Sequence, residues 1–252
     1  MRVAVKFAYD GRRFHGYARQ PGIKTVDDEM LHLLIENNLF TDVKTACVRV
    51  ASRTDKGVSA LGNVLAFHTD SWDNVLLLQR SQKQQDIFLY GFIQVSDDFY
   101  PRHARQRIYR YYLDDDGLDL EKLLEAAAVF TGEHDFRNFA RVEPLKNPLR
   151  TIDTILVEEK PGFYVIDFYA QTFLWHQIRR VVSAMKKVAG GTLEKKTIVD
   201  ALAQPEIKVD YGLAPAEPLL LKDVLYDFDF DYLPGAVRRL QQLERDVATS
   251  IH

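Results

Sequence analysis

Cysteine is almost absent from this chain. Cys47 stands alone among 252 residues, which excludes an internal disulfide and any multi-cysteine metal site. Its place in the apolar run Ala46-Cys47-Val48-Arg49-Val50 predicts a small buried hydrophobe on a strand. The sequence also lacks an apolar stretch of membrane-spanning length and an N-terminal segment joining a basic start to a long apolar run, so a soluble, cytoplasmic protein is expected, with no membrane partner. It contains neither a GxxxxGKS/T phosphate loop nor a GxGxxG fingerprint, so no nucleotide cofactor is expected. His134 and His176 have no ligand spacing with other histidines; both are expected as structural residues, and no metal is expected. An excess of positive charge is missing as well. The net charge is −3 and the pI about 6.2, the opposite of what a phosphate-binding protein usually carries.

The charges that are present are segregated. Residues 11 to 24 hold Arg12, Arg13, Arg19 and Lys24 without an acid, and residues 101 to 110 hold Arg102, Arg105, Arg107 and Arg110 with His103, again without an acid. Arg179, Arg180, Lys186 and Lys187 form a third basic group, while Asp114-Asp115-Asp116, Asp119, Glu121 and the later Asp223, Asp227, Asp229 and Asp231 are the acidic counterpart. A positive and a negative face on one molecule are therefore possible, the plainer reading being that each run is solvated surface; if a polyanion binds, Arg12, Arg13, Arg19, Arg102 and Arg105 are the candidate phosphate contacts. The alternation in Asp227-Phe228-Asp229-Phe230-Asp231 puts its acids on a solvated strand edge rather than in a converging cation loop.

With 46% hydrophobic residues the chain can build a substantial core as one large or two smaller domains. Periodicity predicts strands over 2–9, 46–52, 62–68 and 87–95, a helix opened by the capping box Thr25-x-x-Asp28, and a second helix over 72–84. The polar stretch 96–105 is the expected boundary between an N-terminal subdomain, 1–100, and a C-terminal one, 101–252. In the latter, strands are expected over 107–113, 150–158, 162–170 and 219–228, and helices over 118–131, 174–189 (stopped by Gly190-Gly191) and 194–203. Asp167 alternates with apolar residues on what reads as an edge or functional face. Val237, Leu240, Leu243, Val247 and Ile251 are spaced for one face of a terminal helix that packs on its own body. The expected class is α+β, with helices on one face of a mixed, mainly antiparallel sheet.

The run Ala51-Ser52-Arg53-Thr54-Asp55-Lys56-Gly57-Val58-Ser59-Ala60 puts a carboxylate and an arginine on a connection between two strands, beside a glycine able to take a conformation closed to other residues. Arg53-Thr54-Asp55-Lys56-Gly57-Val58 resembles the signature of the TruA family of tRNA pseudouridine synthases. Four further stretches are similar to that family's motifs in order and spacing. They are Tyr9-Asp10-Gly11 with Phe14-His15-Gly16-Tyr17 and Arg19-Gln20-Pro21; Phe99 to Arg105 with Arg107-Ile108-Tyr109-Arg110-Tyr111; Gly132 to Phe136 with Asn138-Phe139; and Phe173 to Arg179. Lys56-Gly57-Val58-Ser59-Ala60 resembles the archaeal and eukaryotic branches, and Tyr17-Ala18 stands where bacterial members usually carry Trp-Gln.

The resemblance implies two similar ferredoxin-like or RRM-like α/β subdomains sharing a sheet, with an active cleft between them. It implies Asp55 as the catalytic carboxylate, Arg53 as the arginine that helps extrude the target nucleotide, Tyr109 as the ring stacked on uracil, and Arg179 as the cation that keeps Asp55 ionised. The implied reaction is isomerisation of uridine to pseudouridine in the anticodon stem-loop, with tRNA as partner, no cofactor, and a homodimer as working state. Asp55 could attack C1′ as a nucleophile or remove a ribose proton to give a glycal; the sequence leaves both open. An RNA-binding or folding module on the same scaffold is the alternative, and a metal-dependent phosphoesterase using the acidic C-terminal strand a third reading.

Overall fold

A computed structural model describes residues 1–75 and 86–251. The helix expected over 72–84 begins at 72 and from 76 lies outside the described residues. Contacts divide the chain into two units, Met1–Arg105 with Leu220–Ser250, and Gln106–Leu219. The first is discontinuous in the chain.

The first unit is built on a sheet in the order β11-β4-β1-β3-β10, with β2 also on β3. Here β1 is Arg2–Tyr9, β2 Arg49–Val50, β3 Ser59–His68, β4 Ile87–Val95, β10 Leu219–Leu225 and β11 Asp231–Tyr232. Pairing is antiparallel except between β10 and β3, where Leu220 and Leu221 lie opposite Ser59 and Ala60 in parallel register. Helix α1, Val26–Glu36, starts where the capping box places it: Thr25 accepts the Asp28 amide and donates its hydroxyl to the Asp28 carboxylate at 2.8 Å. Asp27, Asp28 and Glu29 suit the positive end of that helix. Helix α5, Ala236–Ala248, packs Leu240 and Leu243 over Ala8, Phe88 and Tyr90, so the terminal helix lies on its own unit.

Every residue of β1 is buried, including two cations that strict alternation would put in water. Lys6 reaches Asp223 at 2.6 Å and lies over the rings of Phe230 and Tyr232; Arg2 donates to the Phe99 carbonyl at 2.8 Å. The strand expected over 46–52 shrinks to β2, and the expected buried Cys47 is corrected. Asp42 caps the amides of Lys44 and Thr45, and Cys47 emerges from this turn exposed, with φ 48°. The strand expected to 228 ends at Leu225, beyond which Asp227 and Asp229 are exposed while Phe230 is buried.

The second unit carries an antiparallel sheet in the order β5-β9-β8 and a separate β6-β7 hairpin. β5 is Gln106–Asp114, β6 Gly132–Asp135, β7 Leu149–Ile152, β8 Thr154–Lys160 and β9 Phe163–Ala170. The expected strand over 150–158 is split at Asp153, whose amide turns to the Tyr169 carbonyl at 2.8 Å. Helices α2, Leu120–Val129, α3, Gln177–Ala189, and α4, Lys195–Ala203, complete the unit. Asn138 is buried and ties the segment after α4 together, donating to the Ala201 and Ile207 carbonyls at 3.1 and 3.0 Å. His134 bonds the Thr131 carbonyl at 3.1 Å. The motif around Gly132 to Phe139 is therefore structural in this unit. No helix among the described residues is long and apolar enough to cross a membrane.

Asp167 is not on an edge, since β9 has strands on both sides. It faces Arg110 across the ladder and receives its guanidinium in a two-pronged bond of 2.7 and 2.6 Å, with both side chains largely buried. This bond raises the Arg110 pKa further. The carboxylate is a structural counter-ion. Removing one partner of a buried pair strands the other charge, so Asp167→Ala should lower unfolding free energy by roughly 3–5 kcal/mol in urea denaturation, and the double change Arg110→Met, Asp167→Leu should recover most of it.

Candidate active site

The loop from Ala51 to Val58 joins β2 to β3 and is fixed along its length. The Ala51 amide donates to the Val64 carbonyl at 2.8 Å, and the Asn63 side chain donates to the Ser52 carbonyl at 2.9 Å. Thr54 is held twice, its carbonyl by the Tyr17 amide at 3.0 Å and its hydroxyl by the Tyr9 hydroxyl at 2.7 Å. The Asp55 carbonyl accepts the Val58 amide at 3.2 Å across a four-residue turn whose third residue, Gly57, has φ 87°. Positive φ at that position is the requirement of a type II turn and the reason glycine stands there. Asp55 itself is half-buried and Arg53 exposed.

The opening motif is the wall behind this loop. A Cβ on Gly11 would lie 2.1 Å from the Val58 carbonyl oxygen, and the Gly11 amide donates to the Ser59 hydroxyl at 2.9 Å. Gly16, at φ 96°, would place a Cβ 3.2 Å from the Lys56 nitrogen. Tyr17 is buried, and burial first, then the nearby Asp27 carboxylate, holds its hydroxyl well above the usual pKa. Tyr17 therefore supports the loop from within the protein. Burial also raises the pKa of Asp27, against the opposing charges of Arg19 and Arg53, so Arg53 emerges beside an acid of α1. Sequence reasoning assigned Asp55 and Arg53 to this loop and missed Tyr9, Gly11, Gly16, Thr54 and Asn63 as its supports. The signal was the glycine spacing in the opening motif.

Tyr109 and Arg179 belong to the second unit. Tyr109 lies on β5 opposite Phe168, mostly buried, with its ring edge-to-face on Phe173 at 5.3 Å. Tyr111 and Tyr112 beside it are core residues. Arg179 is half-buried in the first turn of α3, where its Nε donates to the Ala214 carbonyl at 2.7 Å and its own carbonyl accepts the Ala214 amide at 3.1 Å. The helix expected from 174 starts at 177, because His176 takes the left-handed conformation, φ 63°, at the cap. Cations in a first helical turn oppose the helix dipole. Arg179 and Arg180 are held there nonetheless, by a carbonyl and by Asp210 respectively.

The candidate phosphate contacts do not stand as bare cations. Arg12 is clasped by Asp10 through two bonds of 2.8 Å and donates to the Asp246 carbonyl. Arg13 and Lys24 converge on Asp86 at 2.6 and 2.5 Å, and the Lys24 bond, then the Arg13 bond, depresses the Asp86 pKa. Arg19 meets Asp28 at 3.0 Å and Arg105 approaches Asp227 at 3.7 Å. Arg102 is exposed.

A family model described as tRNA pseudouridine synthase matches residues 126–227. The chain is 42% identical over 230 residues to tRNA pseudouridine synthase A of Thermococcus sibiricus, covering 90% of this chain and 85% of that protein. It is 39% identical over 248 residues to tRNA pseudouridine synthase A of Pyrococcus furiosus, covering 96% and 90%. A chain in the crystal structure of a Cbf5-Nop10-Gar1 complex aligns with TM-score 0.39 and 14% identity over 73% of this chain and 44% of that one.

The clash at Gly11 is with backbone and cannot be relieved by a rotamer change. Gly11→Ala should destabilise the protein by about 2 kcal/mol or more and reduce turnover at temperatures where it remains folded, measured by thermal melting alongside a tRNA modification assay.

Proposed function

The chain belongs to the tRNA pseudouridine synthase A family, and from that premise we propose that Asp55 is the carboxylate with which it isomerises uridine in the anticodon stem-loop, at about positions 38 to 40 of the tRNA. The observation that carries this reading is the half-buried carboxylate on a turn whose backbone is held from both sides. Preorganisation of that kind is what a reaction at one carbon of a flexible nucleotide needs.

The reaction breaks the bond from uracil N1 to ribose C1′ and joins C1′ to C5; C5 loses a proton and N1 gains one. Nothing is oxidised or reduced, so the stoichiometry requires no cofactor. Asp55 either forms an ester at C1′ that the rotated base later displaces, or takes a ribose proton to give a glycal. Both routes require it ionised. Arg179 is the proposed cation that favours that state, its Nε tied to Ala214. Arg53 is proposed to take the place of the extruded nucleotide, a step that costs a few kcal/mol of unstacking. Tyr109 is proposed to stack on the uracil, where an aromatic contact contributes about 1–3 kcal/mol per base. By the same resemblance the enzyme is expected to work as a cytoplasmic homodimer, which sedimentation of the purified protein checks for the oligomeric state.

Incubation with an unmodified tRNA transcript, without metal or nucleotide, followed by sequence-resolved mapping of pseudouridine tests the proposal. Conversion confined to the anticodon arm is expected with the native chain and no conversion with Asp55→Asn, while the variant keeps its affinity for tRNA. Conversion by Asp55→Asn at the native rate would remove Asp55 from the chemistry. For the phosphate contacts, log affinity should fall linearly with log salt, and Arg13→Ala should flatten that slope by about one unit while weakening all tRNAs alike.

A further inference from the structure

An indole stands on the surface at the entrance to α3. Trp175 is 45% exposed, although so large an apolar ring is normally among the most buried of side chains. The Arg141 guanidinium carbon lies 4.2 Å from its ring centroid, and the His176 ring is 5.0 Å away at 57°. The arrangement is set by backbone. The Arg141 amide donates to the Trp175 carbonyl at 2.7 Å in an isolated antiparallel bridge, and the left-handed His176 ends the segment at the helix cap, a conformation that a residue with a Cβ adopts only at a cost.

We propose that Trp175, with Arg141 stacked on it, is a platform for an unpaired nucleobase of the tRNA flanking the target uridine. Unpaired RNA bases are held on aromatic rings and guanidinium planes, because every base has a face to stack whatever its sequence. The surroundings carry more cations than acids: Arg141, Arg179 and Arg180 lie at the same end of α3, whose first turn contains no acid, and Asp210 on Arg180 is the carboxylate paired with them. That suits a partner carrying phosphates between its bases. Phe173, two residues before Trp175 in the chain, packs edge-to-face on Tyr109, the ring proposed for the uracil itself. The inference rests on the tRNA-modifying reading and adds to it a second base-holding residue that takes no part in the chemistry.

The chain has two tryptophans, so Trp72→Phe leaves Trp175 as the sole emitter. Titration of that protein with an unmodified tRNA transcript should quench its fluorescence. Trp175→Ala should raise KM for tRNA about 5- to 150-fold with kcat little changed, and Trp175→Phe should restore most of the affinity. Absence of quenching while the protein still converts tRNA would overturn the platform, and so would an unchanged KM in a folded Trp175→Ala. A Trp175→Ala that alters sedimentation and leaves KM alone would make the indole a subunit contact instead. Should Trp175→Ala fail to fold, the quenching result still decides. A native protein that neither binds nor converts tRNA would overturn the tRNA reading, and the platform with it.

Discussion

The contact between the Gly11 backbone and the Val58 carbonyl is the constraint on which the candidate site depends. With 2.1 Å between the position of a Gly11 Cβ and that oxygen, only a residue without a side chain lets the 3-10 turn after β1 lie against the start of β3. That approach brings Tyr9 and Tyr17 to Thr54, and Gly16 to the backbone of Asp55 and Lys56. A pairing irregularity between Phe7 and Tyr9 turns the end of β1 toward this turn, as bulges beside functional sites commonly do. The backbone that carries the carboxylate is thus fixed by contacts along the whole loop. A loop whose entropy is already spent in folding holds Asp55 without a further ordering cost, as the proposed reaction needs.

How much of this was legible in the sequence follows the range of the interactions. Local signals gave local structure: the Thr25 capping box, the Gly190-Gly191 stop, the glycine of the Asp55 turn and the strand after the loop were all readable, because each depends on a few consecutive residues. Misreadings arose where the partner is distant in the chain. Asp167 looked like a face-forming acid because Arg110 is 57 residues away. The burial of Lys6 and Arg2 was not readable from β1 alone, because Asp223 and the Phe99 carbonyl come from elsewhere. Cys47 looked buried because an apolar run says nothing of the turn that Asp42 imposes just before it. The motif residues were recognisable as a set, but which of them hold the Asp55 loop follows from contacts between segments distant in the chain.

Charge shows the same separation of composition from arrangement. An acid-free run of sequence is not an acid-free surface, since Arg12, Arg13, Arg19 and Lys24 find Asp10, Asp86, Asp27 and Asp28 in the folded unit. Arg12, Arg13 and Lys24 are three cations against the two carboxylates Asp10 and Asp86, which leaves one net positive charge in the cluster. Exposed ion pairs of this kind are typically worth only about 0–1 kcal/mol, so a phosphate can displace a carboxylate at little cost, while the carboxylate holds a long side chain in place beforehand. In the proposed reading, binding of tRNA is an exchange of anions around pre-positioned guanidiniums. A chain with net charge −3 can bind a polyanion on these terms, because the attraction is local to a few fixed cations.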